Sequence, residues 1–289
     1  MHDRPADKLM AEARIIVDTA RRHAVTLRLI GGLAVRRYCR DLEFVDREFS
    51  DIDLIGLSRQ AGRLPRVFAE LGYEENRYVS QATAGAQLQY VKPGVLLESH
   101  AHFAKRPRPL GPPVVTTPLV DHVDVFLDVM RMDHDVDVRD RLEIDDLAIS
   151  PVDVLITKLQ IGKPAEKDVH DVVAFLKDVP FGEAGDGGAI DLAHLARVCA
   201  RDWGIYHDLR TSVEIVRGRI AGYGLPVGEQ ALVVERLGAI EAAIESRGKP
   251  IRWRLRARAG TRLPWRREVE DRDGTPVLGP DSGDSEAAA

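Results

Sequence analysis

Leu29-Ile30-Gly31-Gly32 and, after an arginine-rich interval, Ser50-Asp51-Ile52-Asp53-Leu54 are the most informative segments of this chain. In an extended strand, side chains at positions i and i+2 leave the same face, so Asp51 and Asp53 project together while the apolar residues between them pack behind. Hard divalent cations that accompany a nucleoside triphosphate prefer one or two protein carboxylates plus phosphate oxygens. The two aspartates therefore predict a magnesium site.

Gly31 and Gly32 lie where a predicted strand ends and a predicted helix begins. Backbone amides at a helix N-terminus bind phosphate, so we expect these two glycines, with Ser50 near the metal strand, to contact a nucleotide. The predicted opening of the chain is a helix followed by alternating strands and helices, over residues 7–23, 26–30, 33–40, 51–57 and 60–71. This order is typical of a mixed α and β domain.

A third carboxylate, Asp124, lies in the segment His122-Val123-Asp124-Val125-Phe126-Leu127-Asp128. Its apolar neighbours predict a central strand. If that strand lies beside the Asp51 strand, Asp124 joins the first two carboxylates. Asp121 and Asp128 are the competing residues for this position.

The region between residues 73 and 127 has the short alternating runs of a strand-rich segment. Strands are predicted over residues 77–79, 87–91, 95–98 and 120–128, with a proline-rich loop over 105–118. After Ser150 and Pro151, which form a capped helix start, the pattern becomes helical. These helices are predicted over residues 151–161, 165–177, 191–201, 206–221 and 228–246.

Residues 251–258 alternate strictly between arginine and other residues, which predicts a strand with its arginines on one face. Residues 261–269 would return as the second strand of a hairpin. We therefore predict an α+β protein with three parts: a catalytic domain over residues 1–149, a helical domain ending in a basic β-hairpin over 150–270, and a disordered tail over 271–289.

Composition limits the classes of protein to consider. A hydrophobic fraction of 44% and a charged fraction of 30% over 289 residues are those of a globular protein with room for two domains. No apolar run reaches the roughly 20 residues of a membrane helix, and no apolar signal core is present, so we expect a cytoplasmic protein with no membrane partner. Cys39 and Cys199 form no C-x-x-C pattern and are interpreted as ordinary thiols.

Charge is unevenly distributed along the chain, although its net value is only -5. Aspartates crowd residues 121–146, and arginines crowd residues 247–267. Such asymmetry is typical of separate sites for a metal and for a polyanion. Two solvated faces explain it as well.

Several motifs combine in one order along the chain. They are Gly31-Gly32, Arg47-x-x-Ser50-Asp51-Ile52-Asp53-Leu54 and Val123-Asp124-Val125-Phe126. With these motifs the chain resembles the nucleotidyltransferase branch of the DNA polymerase β superfamily. It is also similar to a largely uncharacterised group of bacterial and archaeal nucleotidyltransferases in segments 122–128, 158–161, 167–171, 202–204 and 252–256. The resemblance covers most of residues 25–270.

The resemblance implies a polymerase-β-like domain, with a mixed sheet and flanking helices, that moves a nucleoside monophosphate from a nucleoside triphosphate to a hydroxyl and releases pyrophosphate. Asp51 and Asp53 would hold two magnesium ions, for which manganese can substitute. Asp124 would hold the catalytic ion and help accept the hydroxyl proton.

Lys158 is the candidate for binding the triphosphate or the leaving pyrophosphate. The resembling type IV abortive-infection toxins use a helical lysine followed by an aspartate, and Lys158 and Asp171 are the closest matches. A structural interpretation is nearly as good, because Lys167 and Asp171 have the i, i+4 spacing of an exposed helix pair.

The acceptor and the biological role stay open at this level. RNA or tRNA suits the arginines, whereas a small molecule such as an aminoglycoside suits the aspartates after residue 121. A toxin would have an antitoxin partner. A nucleotide-binding regulator without turnover is the rival from another class, and an apparently complete set of three carboxylates favours catalysis over it.

Overall fold

The computed structural model describes residues 5–47, 49, 51–93 and 122–267. The architecture is mixed α and β, as the predicted α+β class requires. No helix in this part of the chain combines the length and apolar character that crossing a membrane would take. The predicted strand at residues 95–98, the loop at 105–118 and the tail at 271–289 lie outside the described residues.

Two compact units make up the chain. The first comprises the described residues of Met1–Leu33 and Arg47–Asp128, and the second those of Ala34–Asp46 and Val129–Ala289. The second unit resumes at Val129, directly after the first unit ends at Asp128. The predicted boundary between functional domains near residue 149 stays a prediction.

The first unit is built on a five-stranded mixed sheet with the strand order β1-β2-β5-β4-β3. Its strands are β1 (Leu27–Leu29), β2 (Asp51–Gly56), β3 (Glu74–Glu75), β4 (Gln87–Val91) and β5 (His122–Leu127). β2 and β5 are parallel, and the other neighbouring strands are antiparallel. The predicted strands at 26–30, 51–57 and 87–91 are thereby confirmed to within one residue at each end. The predicted strand at 120–128 is confirmed over residues 122–127, and its residues 120 and 121 lie outside the described residues.

Within the described residues, four helices belong to this unit, one of them in part. They are α1 (Pro5–Arg22), the start of α2 (Gly31–Tyr38), α3 (Leu64–Glu70) and α4 (Arg77–Ala82), with a 3-10 turn at Ser58–Arg63. α1 packs against β1, β2 and α3. Fully buried residues alternate with polar ones along the strands and form the apolar face of the sheet; they include Leu27, Leu29, Ile52, Leu54, Val123 and Val125. Burial of each such side chain stabilises the folded state by about 1.5–3 kcal/mol.

The predicted strand at residues 77–79 is wrong, because these residues begin α4. Tyr78 and Val79 favour a strand locally, but tertiary context overrides such propensity. Asn76 stands at the helix N-cap, yet its side chain makes no capping bond there.

The second unit is mainly helical. It contains the remainder of α2, then α5 (Pro151–Leu159), α6 (Glu166–Asp178), α7 (Leu192–Arg201), α8 (Trp203–Arg219), α9 (Val227–Ser246) and α10 (Ile251–Ala259). Two short strand pairs accompany them, β6 (Val129–Arg131) with β7 (Asp135–Asp137) and β8 (Phe181–Gly182) with β9 (Ile190–Asp191). The helices predicted for residues 151–246 are confirmed, with α8 starting earlier than expected.

Ser150 starts α5 as its sequence predicts. Its hydroxyl accepts a hydrogen bond from the backbone amide of Asp153 at 3.4 Å, and Pro151 occupies the first helical turn. Asp153 is buried and accepts a 2.8 Å bond from Arg141 Nε. The cap therefore belongs to a small polar cluster inside the second unit.

The predicted terminal β-hairpin is wrong. Residues 251–259 form the helix α10, followed by a 3-10 turn at Gly260–Arg262. Arginine is a strong helix former, and Pro250 and Gly260 flank the helix as start and stop residues. Trp253 faces the helices, where its indole nitrogen donates to the Cys199 carbonyl at 2.9 Å. Strict alternation thus places arginines around the helix instead of along one strand face.

The segment after α10 is anchored on the buried carboxylate of Asp208. Trp265 Nε1 donates to Oδ1 of Asp208 at 3.0 Å, Arg266 Nη1 lies 3.2 Å from the same oxygen, and His134 Nε2 lies 2.8 Å from Oδ2. Burial raises the pKa of Asp208, but these donors outweigh burial and hold the pKa below its usual value. Three donors converge on one carboxylate and fix this segment to α8.

Candidate functional site

The three predicted carboxylates meet on the face of the sheet opposite the apolar one. Parallel pairing of β2 with β5 places Asp53 directly opposite Asp124, and Asp51 opposite His122. Because residues two apart in a strand share a face, Asp51, Asp53, His122 and Asp124 all project to the same side. Asp124 is buried, whereas the Asp51 side chain is 41% exposed. The cluster therefore runs from solvent into the sheet.

Gly31 lies against this cluster at the start of α2. Its φ angle is +65°, a conformation that residues with a Cβ adopt at a cost. A Cβ added there would lie 2.9 Å from Asp53 Oδ2, so glycine is also required by space. The Ile30 amide donates to the Asp53 carbonyl at 3.0 Å, which holds the end of β1 beside β2.

Gly32 lies under the side chain of Arg47. A Cβ added to Gly32 would come within 2.1 Å of Arg47 Nη2 and 2.8 Å of Phe49 Cε1. The Arg47 guanidinium carbon also lies 4.3 Å from the centre of the Phe49 ring. Arg47 therefore lies beside the glycine turn, and the planar guanidinium group of arginine is well suited to bind phosphate. Ser50, the other predicted nucleotide contact, lies outside the described residues.

Asp124 is held by a relay of two amide side chains that sequence reasoning missed. Gln89 Nε2 donates to Asp124 Oδ1 at 3.0 Å, and Asn76 Nδ2 donates to Gln89 Oε1 at 2.7 Å. β4 pairs with β5 so that Gln89 is opposite Asp124. The alternating pattern of residues 87–91 indicates which face Gln89 occupies, but only the pairing of β4 with β5 shows that it meets Asp124.

His122 is a second residue that sequence reasoning did not assign. Its Nε2 lies 3.5 Å from Asp124 Oδ2 and 3.8 Å from Asp51 Oδ2. Burial lowers the pKa of His122, but the bond to Asp124 and the negative charge of the three aspartates outweigh burial and raise it. The signal that could have found it is its position two residues before Asp124 on the same strand.

Magnesium fits the chemistry of this donor set. Asp51, Asp53 and Asp124 offer hard carboxylate oxygens, and the amide that holds Asp124 is an outer-shell support of the kind that metal ligands commonly have. Over the described residues, no three His, Cys, Asp or Glu side chains converge closely enough to enclose a metal ion. The carboxylates share a face, and His122 stands between two of them.

Lys158 belongs to the second unit and forms a buried ion-pair cluster there. Its ammonium lies 2.9 Å from Asp168 Oδ1 and 2.9 Å from Asp171 Oδ2. Burial lowers the pKa of Lys158, but the two carboxylates outweigh burial and raise it. Asp171, expected on an exposed helix face with Lys167, is buried. The triphosphate role of Lys158 stays a prediction.

Comparison with known proteins adds no relative. Models of protein families give no match to this chain, and neither do curated proteins or solved structures.

Proposed function

We propose that this chain is a magnesium-dependent nucleotidyltransferase with a polymerase-β-like first unit. It transfers a nucleoside monophosphate from a nucleoside triphosphate to a hydroxyl and releases pyrophosphate. The observation that carries the proposal is the parallel pairing of β2 with β5, which sets Asp53 opposite Asp124 with Asp51 on the same face. Three carboxylates on one sheet face, beside a glycine turn, suit a metal-bound triphosphate.

Each carboxylate has a distinct part in the proposed reaction. The acceptor oxygen attacks the α-phosphorus, the new oxygen–phosphorus bond forms, and the bond to the pyrophosphate oxygen breaks. Asp51 and Asp53 would hold two ions, and Asp124 the ion nearest the hydroxyl. Bound magnesium supplies positive charge for the transferred phosphoryl group and the leaving oxygen. We assign acceptance of the hydroxyl proton to the Asp124 carboxylate, whose Oδ1 accepts a hydrogen bond from Gln89 and whose Oδ2 lies 3.5 Å from His122 Nε2.

The glycine turn and Arg47 would bind the triphosphate. Amides at the start of α2 lack helical partners and can donate to phosphate oxygens. Arg47 lies over Gly32 and supplies a cation at the same place. We assign the triphosphate cation to Arg47 because of its position over Gly32 at the glycine turn, whereas Lys158 lies in an ion-pair cluster of the second unit.

A transfer assay tests the proposal. The full chain is incubated with magnesium, each triphosphate labelled at the α-phosphate, and either total cellular RNA or cellular metabolites. We expect label to join an acceptor in the wild-type chain, and chelation of magnesium to stop it. Asp53→Asn should fold normally and lower the transfer rate by about 100-fold or more, because it removes one metal carboxylate.

Asp18→Asn is the matched control, because it neutralises a partly exposed carboxylate on α1 of the same unit. It should retain wild-type transfer. Wild-type rates in Asp53→Asn would sink the mechanism. Tight triphosphate binding by the wild-type chain, with no transfer to any acceptor, would replace it with a nucleotide-binding regulator.

A further inference from the structure

The C-terminal part of the second unit carries a concentrated positive charge. Residues 247–267 contain eight arginines and one lysine and no acidic residue, although the whole chain has a net charge of -5. Four exposed arginines on α10 and the turn after it form what we call the terminal basic surface: Arg252, Arg254, Arg258 and Arg262. Among the described residues none of these four makes an ion pair.

Arg256 on α10 has an internal role and holds this surface in place. Arg256 donates to the carbonyls of Gly260 at 2.7 Å and Leu263 at 3.0 Å, which closes the end of α10. Its guanidinium carbon also lies 4.6 Å from the centre of the Trp203 ring. The four exposed arginines therefore project from an anchored helix end.

We propose that the terminal basic surface binds the phosphate backbone of single-stranded RNA. Arginine forks match phosphate oxygens, and basic surfaces track nucleic-acid backbones. The exposed apolar residues Ile251 and Leu255, 68% and 57% exposed, lie one helical turn apart among the arginines, where unstacked bases can contact them.

A lipid surface is the less suitable polyanion. Helices that lie on membranes separate a broad apolar face from a charged one. In α10 arginines lie on both sides of the apolar pair, so no such separation exists. RNA is preferred over DNA because it is an acceptor with free hydroxyls, and this preference rests on the proposed function.

Binding is measured by fluorescence anisotropy of a labelled 20-nucleotide single-stranded RNA with the full chain, without nucleotide or magnesium, over a range of salt concentrations. The triple variant R252Q/R254Q/R258Q should lose at least about tenfold in affinity and reduce the salt slope by about 2, since each lost phosphate contact on a single strand contributes about 0.7. The matched control R59Q/R66Q/R77Q removes three exposed arginines of the first unit and should bind as the wild-type chain does.

Equal affinity for RNA in the wild-type chain and R252Q/R254Q/R258Q would overturn the proposal, as would an equal loss in the control triple. Tighter binding to phosphatidylserine vesicles than to RNA would assign the surface to membranes. Tenfold tighter binding to single-stranded DNA would exclude RNA as the ligand. The assay needs no turnover: RNA binding without label transfer refutes the proposed function alone, and transfer without arginine-dependent binding refutes this surface alone.

Discussion

Replacement of Lys158 by methionine separates a structural role of this lysine from a role at the triphosphate. The side chains of Lys158 and Asp168 are each 11% exposed and that of Asp171 is 3% exposed. Because little water reaches these three charges, the lysine and the two carboxylates must stabilise one another. Methionine keeps the length and apolar stem of lysine but leaves two buried carboxylates without their cation. We expect the variant to be strongly destabilised.

The expected loss is about 3–5 kcal/mol in the free energy of unfolding of the second unit, the range for removing one partner of a buried ion pair. At about 2–4 °C per kcal/mol for a unit of this size, the melting temperature should fall by about 10 °C. The cost arises from the stranded carboxylates and not from lost packing.

The dependence on pH follows from the two shifted groups. The raised pKa of Lys158 contributes stability that is present below its unfolded value, about 10.4, and lost as pH rises through the folded value. The lowered pKa of Asp168, which Lys158 holds down against burial, contributes stability present above about 3.9 and lost as pH falls through the folded value. The wild-type chain has both contributions from pH 5 to 9. In Lys158→Met, protonation of the stranded carboxylates relieves their cost, so the deficit should be smaller at pH 5 than at pH 8.

Urea unfolding followed by circular dichroism at pH 5 and pH 8 measures both effects. Lys163→Met is the control, because Lys163 is an exposed lysine of the same unit and should change stability by less than about 0.5 kcal/mol. A Lys158→Met variant as stable as the wild-type chain that no longer transfers nucleotides would refute this reasoning and return Lys158 to the triphosphate.

Three further substitutions test the contacts of Asp124, of Asp208 and of the glycine turn. Gly31→Ala should lower the free energy of unfolding by about 1–3 kcal/mol, because alanine at a positive φ is strained and its Cβ would crowd Asp53; thermal melts measure it. Gln89→Leu should raise the magnesium concentration for half-maximal transfer by about 10- to 100-fold, as expected for loss of an outer-shell partner. Trp265→Phe removes an indole donor from Asp208 and should cost about 1.5–3 kcal/mol in urea unfolding.

Control variants and contradicting outcomes accompany these three predictions. Gly62→Ala adds a Cβ where nothing lies within 4 Å and should leave stability nearly unchanged. Gln87→Leu changes the other glutamine on the same strand and face, so an equal magnesium effect in both variants would contradict the positioning role of Gln89. Unaltered unfolding in Trp265→Phe would mean that the bond from Trp265 to Asp208 contributes no stability.

Much of the first unit could be predicted because its signals are local. Asp51 and Asp53 share a face by strand periodicity alone, and the glycine turn follows from its place between a strand and a helix. The contribution of Gln89 could not be predicted, because it depends on the pairing of β4 with β5 across residues far apart in the chain. Register of this kind is a tertiary property.

Predictions that failed or stayed incomplete elsewhere also concern contacts between distant parts of the chain. Residues 251–258 alternate with period two, a pattern that predicts a strand, yet the strong helix propensity of arginine and the contacts of Trp253 and Arg256 produce a helix. The sequence marks Lys158 and Asp171 as candidates for a site. Their meeting with Asp168 in a buried cluster depends on how α5 packs against α6.

Because β2 and β5 pair in parallel, the site depends on the alternation of side chains within these two strands. It does not depend on the length of the chain before each strand. The chain segments before the two strands can lengthen or shorten without changing which residues share the polar face. Deleting a single residue within β2, such as Ile52, would move every following side chain of the strand to the opposite face of the sheet. Asp53 would then lie on the apolar face and Leu54 on the polar face. Natural or engineered variation at this site is therefore expected as substitutions within the strands and as insertions only outside them.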